Sequence, residues 1–179
     1  MKLPVDHEVY IRSFQKNDSL SFVEAVHESV DTVGVWMSWC HQGYSVQEAE
    51  SWFKLCKQNL ATSQAYDFGL FSVSADQVLG GIAINQINKE HNFGNIGYWV
   101  RQSQQGRGIA TKATQAIATF GFKELELTRL EIVVAEENLA SRRVAEKVGA
   151  RFECIPRNRL VIRGMPTDSA VYSLQPFDG

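Results

Sequence analysis

The amino-acid sequence predicts one α/β domain that spans residues 1–179. Three strand-like segments follow one another between residues 66 and 100, and helical patterns alternate with strand patterns on both sides of them. The chain contains neither an internal repeat nor a linker-like stretch, and its length suits one domain with a core of its own. The predicted order of elements is β-α-α-β-β-β-α-β-α-β-β.

The N-terminal part of the chain predicts one strand followed by two helices. Residues 9–14 have the alternation of a short strand, and Asn17-Asp18 can cap the helix that follows. Ser45 and Glu48 have the spacing of a capping box and open a second helix. Between these helices, Val35–Trp39 is rich in aromatic residues and shows no clear period.

The middle of the chain predicts a three-stranded antiparallel meander. Its strands are Tyr66–Val73, Val78–Ile87 and Asn92–Val100, separated by turn-forming residues. Gly80-Gly81 interrupts the second of these strands. A glycine pair inside a strand indicates a bulge or a close approach of another backbone.

The C-terminal part alternates helices and strands. Apolar residues recur every three or four positions in the helix Ile109–Phe120, and Leu130–Val134 is a strand of the buried type. Asn138 starts another helix, which Gly149 ends. The segments 151–162 and 169–174 are predicted as two final strands around a turn at residues 163–166.

Composition excludes several classes of protein. A formal net charge of -2 and a pI near 6.1 argue against a dedicated nucleic-acid binder. The odd number of cysteines, without a CxxC pair, argues against a disulfide framework and a zinc site, so Cys40, Cys56 and Cys154 are expected as free thiols. The N-terminus lacks the pattern of a signal peptide, and no apolar run is long enough to span a membrane. We therefore expect a cytoplasmic protein that binds neither membrane nor metal.

A glycine-containing turn, Gln105–Ala110, joins the last strand of the meander to the next helix. Small residues let backbone N–H groups approach a ligand, and the helix N-terminus adds about half a positive charge, so the turn predicts an anion site. The chain lacks a Walker A loop. A dinucleotide fingerprint would need a small residue at Thr111 and a place in a parallel βα unit. The pyrophosphate of coenzyme A remains as the ligand, with a purely structural turn as the alternative.

Three ordered motifs resemble a known family. Gln105–Ala110 matches the Q/R-x-x-G-x-G/A loop that binds the pyrophosphate of acetyl-CoA in the GCN5-related N-acetyltransferases (GNAT). Ile96–Val100 is similar to the I-G-Y-W strand of the ribosomal-protein branch of that superfamily, the RimJ/RimL type. Residues 138–149 resemble the N-x-x-S-x-x-V-A-E-K-x-G segment of the same branch.

This resemblance implies a mixed, mostly antiparallel sheet that is splayed after its fourth strand and carries helices on both faces. Acetyl-CoA would lie in the splay as the cosubstrate, with its pantetheine arm along β-strand backbone and its pyrophosphate on the loop amides. Asn138 would contact the cofactor, and it is also a candidate helix N-cap. The implied cofactor-binding residues are Tyr98, Trp99, Val100, Gln105, Gly106, Arg107, Gly108, Ile109, Ala110 and Asn138.

Acetyl transfer to an amine needs a neutral nucleophile, a polarised thioester carbonyl and a proton donor for the leaving thiolate. The resemblance places Ala145 where the superfamily often has a tyrosine donor, and Ser141 where the ribosomal-protein branch uses a serine. We expect Ser141 to be the catalytic proton donor, with a structural first-turn serine as the alternative. Asn95 and Leu160 stand where relatives carry a glutamate base, so the sequence identifies no base, and a water chain would serve.

The lack of an evident base favours an α-amine over a lysine as the acceptor. With pKa values near 10.4 and about 7.7–8.0, about 0.04% of lysine amine and roughly 10–15% of terminal amine are neutral at pH 7, a gap of about 3.5 kcal/mol. We expect acetylation of a protein N-terminus, such as that of a ribosomal protein, by direct attack in a ternary complex. Trp36 and Trp39 are the predicted acceptor-binding residues, with a place in the hydrophobic core as the alternative that aromatic residues more often take. A basic acceptor would require an acidic groove, for which the N-terminal half offers Asp18, Glu24, Glu28, Asp31, Glu48 and Glu50.

Two other functions stay open at this point. The chain could acetylate a small amine, such as an antibiotic or a polyamine, or it could be a non-catalytic acyl-CoA-binding module that regulates a partner. A homodimer is also open, because no sequence feature sets the oligomeric state.

Overall fold

A computed structural model describes residues 2–176 of the chain. Within these residues it contains one eight-stranded sheet, a separate two-stranded hairpin and four α-helices. The strands are β1 (Lys2–Pro4), β2 (Val9–Arg12), β3 (Tyr66–Ser72), β4 (Val78–Asn88), β5 (Phe93–Val100), β6 (Arg129–Ala135), β7 (Arg151–Cys154), β8 (Leu160–Ile162), β9 (Met165–Thr167) and β10 (Ser169–Leu174). The helices are α1 (Ser19–Glu28), α2 (Val46–Ala61), α3 (Ile109–Lys123) and α4 (Leu139–Lys147).

The eight strands are arranged in the order β1-β2-β3-β4-β5-β6-β10-β7. Every neighbouring pair is antiparallel except β5 and β6, which run parallel. These two strands pair from Phe93 to Asn95, and within residues 2–176 no strand pairs with the rest of β5 on that side. The mixed sheet and its splay after the fourth predicted strand, which is β5 here, are therefore confirmed.

Helices cover both faces of the sheet, as predicted. The apolar stripe of α3, which includes Ile109, Ala113 and Ile117, packs on the face formed by alternate residues such as Ile84 and Ile96. The opposite face carries α1 and α2, and its core is strongly aromatic. The predicted capping box opens α2, because the Ser45 side chain accepts from the Glu48 amide and Glu48 accepts from the Ser45 amide.

The glycine pair in β4 produces both features that it predicts. The β3–β4 register shifts between Leu70 and Phe71, so that β4 bulges beside Gly80. A Cβ atom at Gly80 would collide with the backbone carbonyl oxygen of Trp99. A Cβ atom at Gly81 would lie 2.6 Å from Trp99 Nε1, so glycine here makes room for the indole.

The prediction of one long strand over residues 151–162 is wrong. Strand β7 ends at Cys154, and β8 pairs with β9 in a hairpin outside the main sheet. Pro156 follows β7 closely and has no N–H to donate to a ladder, and Asn158 adopts a positive φ of 52°. Strand β1 was not predicted at all, because three residues are too short to show a period.

The three cysteines are free thiols, as expected, with Cys40 and Cys56 buried and Cys154 exposed. Within residues 2–176, no helix combines the length and the apolar character needed to cross a bilayer.

Candidate active site

The divergence of β5 from β6 opens a cavity of about 330 Å³, which we call the splay cavity. The predicted catalytic residue Ser141 lines it together with nine of the ten predicted cofactor-binding residues. Residues far apart in the sequence therefore meet where the resemblance places acetyl-CoA. The nine are Tyr98, Trp99, Val100, Gln105, Gly106, Gly108, Ile109, Ala110 and Asn138.

The loop before α3 has the geometry of an anion site. Gly106 and Gly108 adopt left-handed φ values of 76° and 77°, and a Cβ atom at either position would meet no atom within 4 Å. Within the described residues, the backbone amides of residues 106–111 donate no hydrogen bond. Unpaired amides at a helix N-terminus that face open space suit a diphosphate.

Side chains from α1 and its following loop hold the start of this anion loop. Glu28 accepts from the guanidinium of Arg101 and, at 2.6 Å, from the amide of Ser103. The Arg101 hydrogen bond lowers the pKa of Glu28 to about 2, against a smaller opposing effect of burial. The Gln105 side-chain amide donates to the carbonyl oxygen of Val100 at 2.8 Å and to Thr32 Oγ1 at 3.1 Å. All of these hydrogen bonds are made within the protein and need no ligand.

The N-terminus of α4 presents Ser141 to the splay cavity. Asn138 Oδ1 accepts from the Ser141 amide at 3.1 Å, so Asn138 is the N-cap of α4. From across the splay, the Tyr98 hydroxyl donates to the Ser141 carbonyl oxygen at 3.1 Å. Burial raises the pKa of Tyr98 to about 12, so it stays a donor at neutral pH. The Ser141 hydroxyl itself bonds to no other described residue and remains available to a ligand.

Two basic residues near the loop do not reach the splay cavity. Arg107 is the one predicted cofactor-binding residue that does not line it, because its side chain donates to Gln104 at 2.5 Å and to Glu8 at 3.3 Å. Lys112 pairs with Asp6 at 2.7 Å. The loop therefore offers an anion its backbone amides rather than these two side chains.

A second cavity of about 330 Å³, which we call the aromatic cleft, lies on the α1–α2 face of the sheet. Its walls include Phe14, Phe22, Trp39, Tyr44 and Trp52, and its floor consists of residues of β3, β4 and β5. Met37, Tyr98 and Trp99 line both this cleft and the splay cavity. The two cavities therefore meet at β5.

The structure separates the two tryptophans predicted to bind the acceptor. Trp39 lines the aromatic cleft and packs against Trp99 with ring centroids 5.4 Å apart. Trp36 lines the splay cavity instead. The intervening turn, in which the Trp36 and Met37 amides bond to the Val33 carbonyl oxygen, turns the two indoles apart.

None of the acidic residues expected to form an acidic groove lines the aromatic cleft. Asp18 pairs with Arg12 at 2.6 Å, and Glu48 belongs to the α2 capping box. Of the described residues that line the cleft, Asp67 alone has a carboxyl group. Asp67 was not predicted as a site residue, although an aspartate near the start of the apolar strand Tyr66–Val73 is an unusual feature of the sequence.

A family model for the acetyltransferase (GNAT) domain matches residues 8–151, which include the anion loop and Ser141. The chain belongs to the GNAT acetyltransferase family. This GNAT acetyltransferase is 33% identical over 137 residues to Probable N-acetyltransferase YjcK of Bacillus subtilis, covering 75% of this chain and 76% of that protein. It is also 31% identical over 109 residues to the ribosomal-protein-serine acetyltransferase of Escherichia coli, covering 60% and 61%.

Solved structures agree with the fold and with the branch of the family. A structure described as that of a "putative ribosomal-protein-serine acetyltransferase" from Vibrio cholerae superposes on this GNAT acetyltransferase with a TM-score of 0.86. The two chains are 31% identical, and the match covers 98% of each. The RimJ/RimL-like branch is therefore confirmed. No group of three or more His, Cys, Asp or Glu residues that could hold a metal ion occurs within residues 2–176.

Proposed function

We propose that this GNAT acetyltransferase transfers the acetyl group of acetyl-CoA to the N-terminal α-amine of a protein. In this proposal the thioester lies in the splay cavity, the acceptor enters the aromatic cleft, and the two react in a ternary complex. The loop amides bind the diphosphate, and Ser141 donates the proton that the leaving thiolate needs. The ribosomal-protein-serine acetyltransferase among the relatives supports a ribosomal protein as the acceptor.

The observation that carries this proposal is the single carboxyl group of the aromatic cleft. Of the fifteen residues that line it, thirteen are glycine or apolar and aromatic residues, and only Asp67 and Asn85 have polar side chains outside that class. One carboxylate matches one ammonium group, which is the charge at the end of a polypeptide. The apolar walls leave room for the first side chain and its backbone.

A polyamine is the competing acceptor. The spermidine N(1)-acetyltransferase of Escherichia coli is 25% identical over 154 residues, covering 84% of this chain. A polyamine carries several positive charges, and a site for it would be expected to present several carboxylates. The aromatic cleft offers one, which favours the α-amine.

A free-thiol release assay with acetyl-CoA tests the proposal. The acceptors are peptides that begin with serine or alanine, the same peptides with a blocked N-terminus and an internal lysine, and spermidine. We expect turnover with the open N-termini, and mass mapping should place the acetyl group on the α-amine. Main products on lysine or on spermidine would contradict the proposed acceptor. Binding of acetyl-CoA without thiol release for any amine would instead indicate a non-catalytic module.

A further inference from the structure

Asp67 is a buried carboxyl group without a cationic partner. It is 9% exposed, and no Lys, Arg or His side chain within residues 2–176 forms an ion pair with it. Aspartate is almost never buried unless it is paired, because removing an unpaired carboxylate from water is costly. A cation that arrives with a ligand would supply the missing partner.

The sheet register leaves open space between Asp67 and β5, the strand that lines both cavities. Asp67 lies opposite Ala83 on β4, and Ala83 lies opposite Gly97 on β5. All three line the floor of the aromatic cleft. Strands are spaced about 4.8 Å apart, so β3 and β5 are separated by about 10 Å. Because Ala83 has only a methyl group and Gly97 has no side chain, a ligand amine can occupy this interval.

A second buried acceptor on the same face also lacks a donor. Asn95 stands two residues before Gly97, so its side chain lies on the same side of β5. Its amide nitrogen donates to Asn85 Oδ1 at 3.0 Å, but its own Oδ1 is buried without a hydrogen bond in the described structure. Buried polar atoms in folded proteins are rarely left in this state. Asn95 does not line the aromatic cleft itself, but its amide holds the side chain of Asn85, which does.

The walls of the cleft add a further preference for a cation. Trp39, Tyr44 and Trp52 present aromatic rings to the same space. The face of an aromatic ring attracts an ammonium group, and more strongly where water is excluded. The carboxylate of Asp67 and the aromatic walls together define a site for a protonated amine.

We propose that Asp67 binds the acceptor ammonium and accepts its proton, directly or through one water molecule, before acetyl transfer. This proposal rests on the proposed function, an amine acceptor in the aromatic cleft. One N–H bond of the ammonium breaks, its electron pair stays on nitrogen, and the proton bonds to a carboxylate oxygen of Asp67. The neutral amine then attacks the thioester carbonyl. Ser141 gives its hydroxyl proton to the leaving thiolate, and a second proton from the nitrogen then replaces it on Ser141. Asp67 finally returns its proton to solvent.

The surroundings of Asp67 suit this task. Burial raises the pKa of Asp67, and a hydrogen bond with Asn59 of α2 opposes the increase. A carboxylate with a raised pKa is a stronger base towards an ammonium. Burial also raises the pKa of Tyr44 to about 12 and raises that of Cys56, so neither competes for protons between pH 6 and pH 9. Asp67 also lines a separate pocket. The charged residues of that pocket form no ion pair with Asp67; they are Lys16, Glu50, Lys54 and Lys57.

The test compares Asp67→Asn with the wild-type enzyme and with Asn59→Ala. Asparagine has nearly the same shape and can keep a hydrogen bond to Asn59, while it removes the charge and the base. Asn59→Ala removes the contact with α2 and leaves the carboxylate in place. If Asp67 serves only to fasten α2 to β3, Asp67→Asn will keep wild-type activity, and any loss will appear in Asn59→Ala instead.

The expected result is a loss that depends on pH. At pH 7, kcat/KM of Asp67→Asn for a serine-initiated peptide should fall by about 100-fold or more, the range of general-base effects. The loss should shrink by about sevenfold between pH 7 and pH 9, because an α-amine of pKa near 7.8 deprotonates itself over that range. Calorimetry with CoA-saturated enzyme should show at least tenfold weaker peptide binding at pH 7. The melting temperature should be unchanged or higher, since an unpaired buried charge is gone.

A loss in Asp67→Asn that is constant from pH 6 to pH 9, or one that Asn59→Ala reproduces, would overturn the assignment. If Asp67→Asn does not fold, Asp67→Glu is the deciding variant. It keeps a carboxylate, so the proposal requires that it keep the wild-type pH profile. Failure of the wild-type enzyme to acetylate any α-amine would instead refute the proposed function. The two failures are therefore distinguishable.

Discussion

Replacement of Gly108 by alanine separates the backbone strain of the anion loop from its role in binding. Gly108 stands at the N-cap of α3 with a φ of 77°, and an added Cβ atom would meet nothing within 4 Å. The only cost in the ligand-free protein is therefore the left-handed conformation, about 1–2 kcal/mol for an L-residue. In a domain of this size that corresponds to a decrease of roughly 2–8 °C in Tm.

Binding of CoA should suffer more than stability in this variant. Gly108 lines the splay cavity together with residues 109–111, so we expect the new methyl group to compete with a bound anion for the space beside these unpaired amides. Displacing an anion from even one such amide forfeits a charge-assisted hydrogen bond of about 1.5–3 kcal/mol. We therefore expect the Kd for CoA, measured by titration calorimetry, to increase by about 10- to 150-fold.

Gly164 provides a matched control for Gly108→Ala. It has nearly the same φ, 78°, and its Cβ position is equally open, but it lies in the β8–β9 turn away from the loop. Gly164→Ala should lower Tm by a similar amount and leave the Kd for CoA unchanged. If Gly108→Ala lowers Tm like the control and binds CoA within twofold of wild type, the anion site is misplaced.

Two further variants test other parts of the site. Ser141→Ala should lower kcat by about 100-fold or more with Tm and CoA Kd unchanged, because the bond to Asn138 uses the Ser141 amide rather than its hydroxyl; an unaltered kcat would leave Ser141 as a structural residue. Glu28→Gln should lose roughly 1–2 kcal/mol of stability at pH 7, because Arg101 holds the pKa of Glu28 near 2 in the folded state, below its ordinary 4.5. That contribution is present above about pH 4.5 and disappears as the pH falls towards 2, so denaturant titrations of both proteins should converge at low pH. A difference that persists at pH 2 would contradict this cause.

Features with a local pattern could be predicted from the sequence. The loop Gln105–Ala110 and Ser141 each belong to a short motif, and the structure brings both to one cavity. Apolar spacing was enough to predict α3, since its buried face recurs with the helical period. The segment 151–162 was mispredicted because β-prone residues surround a proline turn, and only the hairpin pairing of β8 with β9 shows the break.

Features that depend on strand register could not be predicted in the same way. An aspartate in an apolar strand can be seen in the sequence, but the role of Asp67 cannot, because it comes from lying opposite Ala83 and, through it, Gly97. The glycine pair indicates a bulge at Gly80, but it does not indicate which residues of β3 lie opposite those of β4. Likewise, one sequence pattern contains Trp36 and Trp39, yet the fold of the intervening turn sends them to different cavities.

The alternation of side chains along β5 explains how one strand serves two sites. Tyr98 points to the α3–α4 face, where it reaches Ser141, and Trp99 points to the α1–α2 face, where it packs on Trp39. Because successive residues face opposite sides, a shift of one residue in the β4–β5 register would exchange these roles. Gly80 and Gly81 hold the β4–β5 register. A larger residue at Gly80 would collide with the backbone of Trp99, and a larger residue at Gly81 would collide with its indole. The proposed ternary complex therefore depends on a glycine pair of which only Gly81 lines the aromatic cleft.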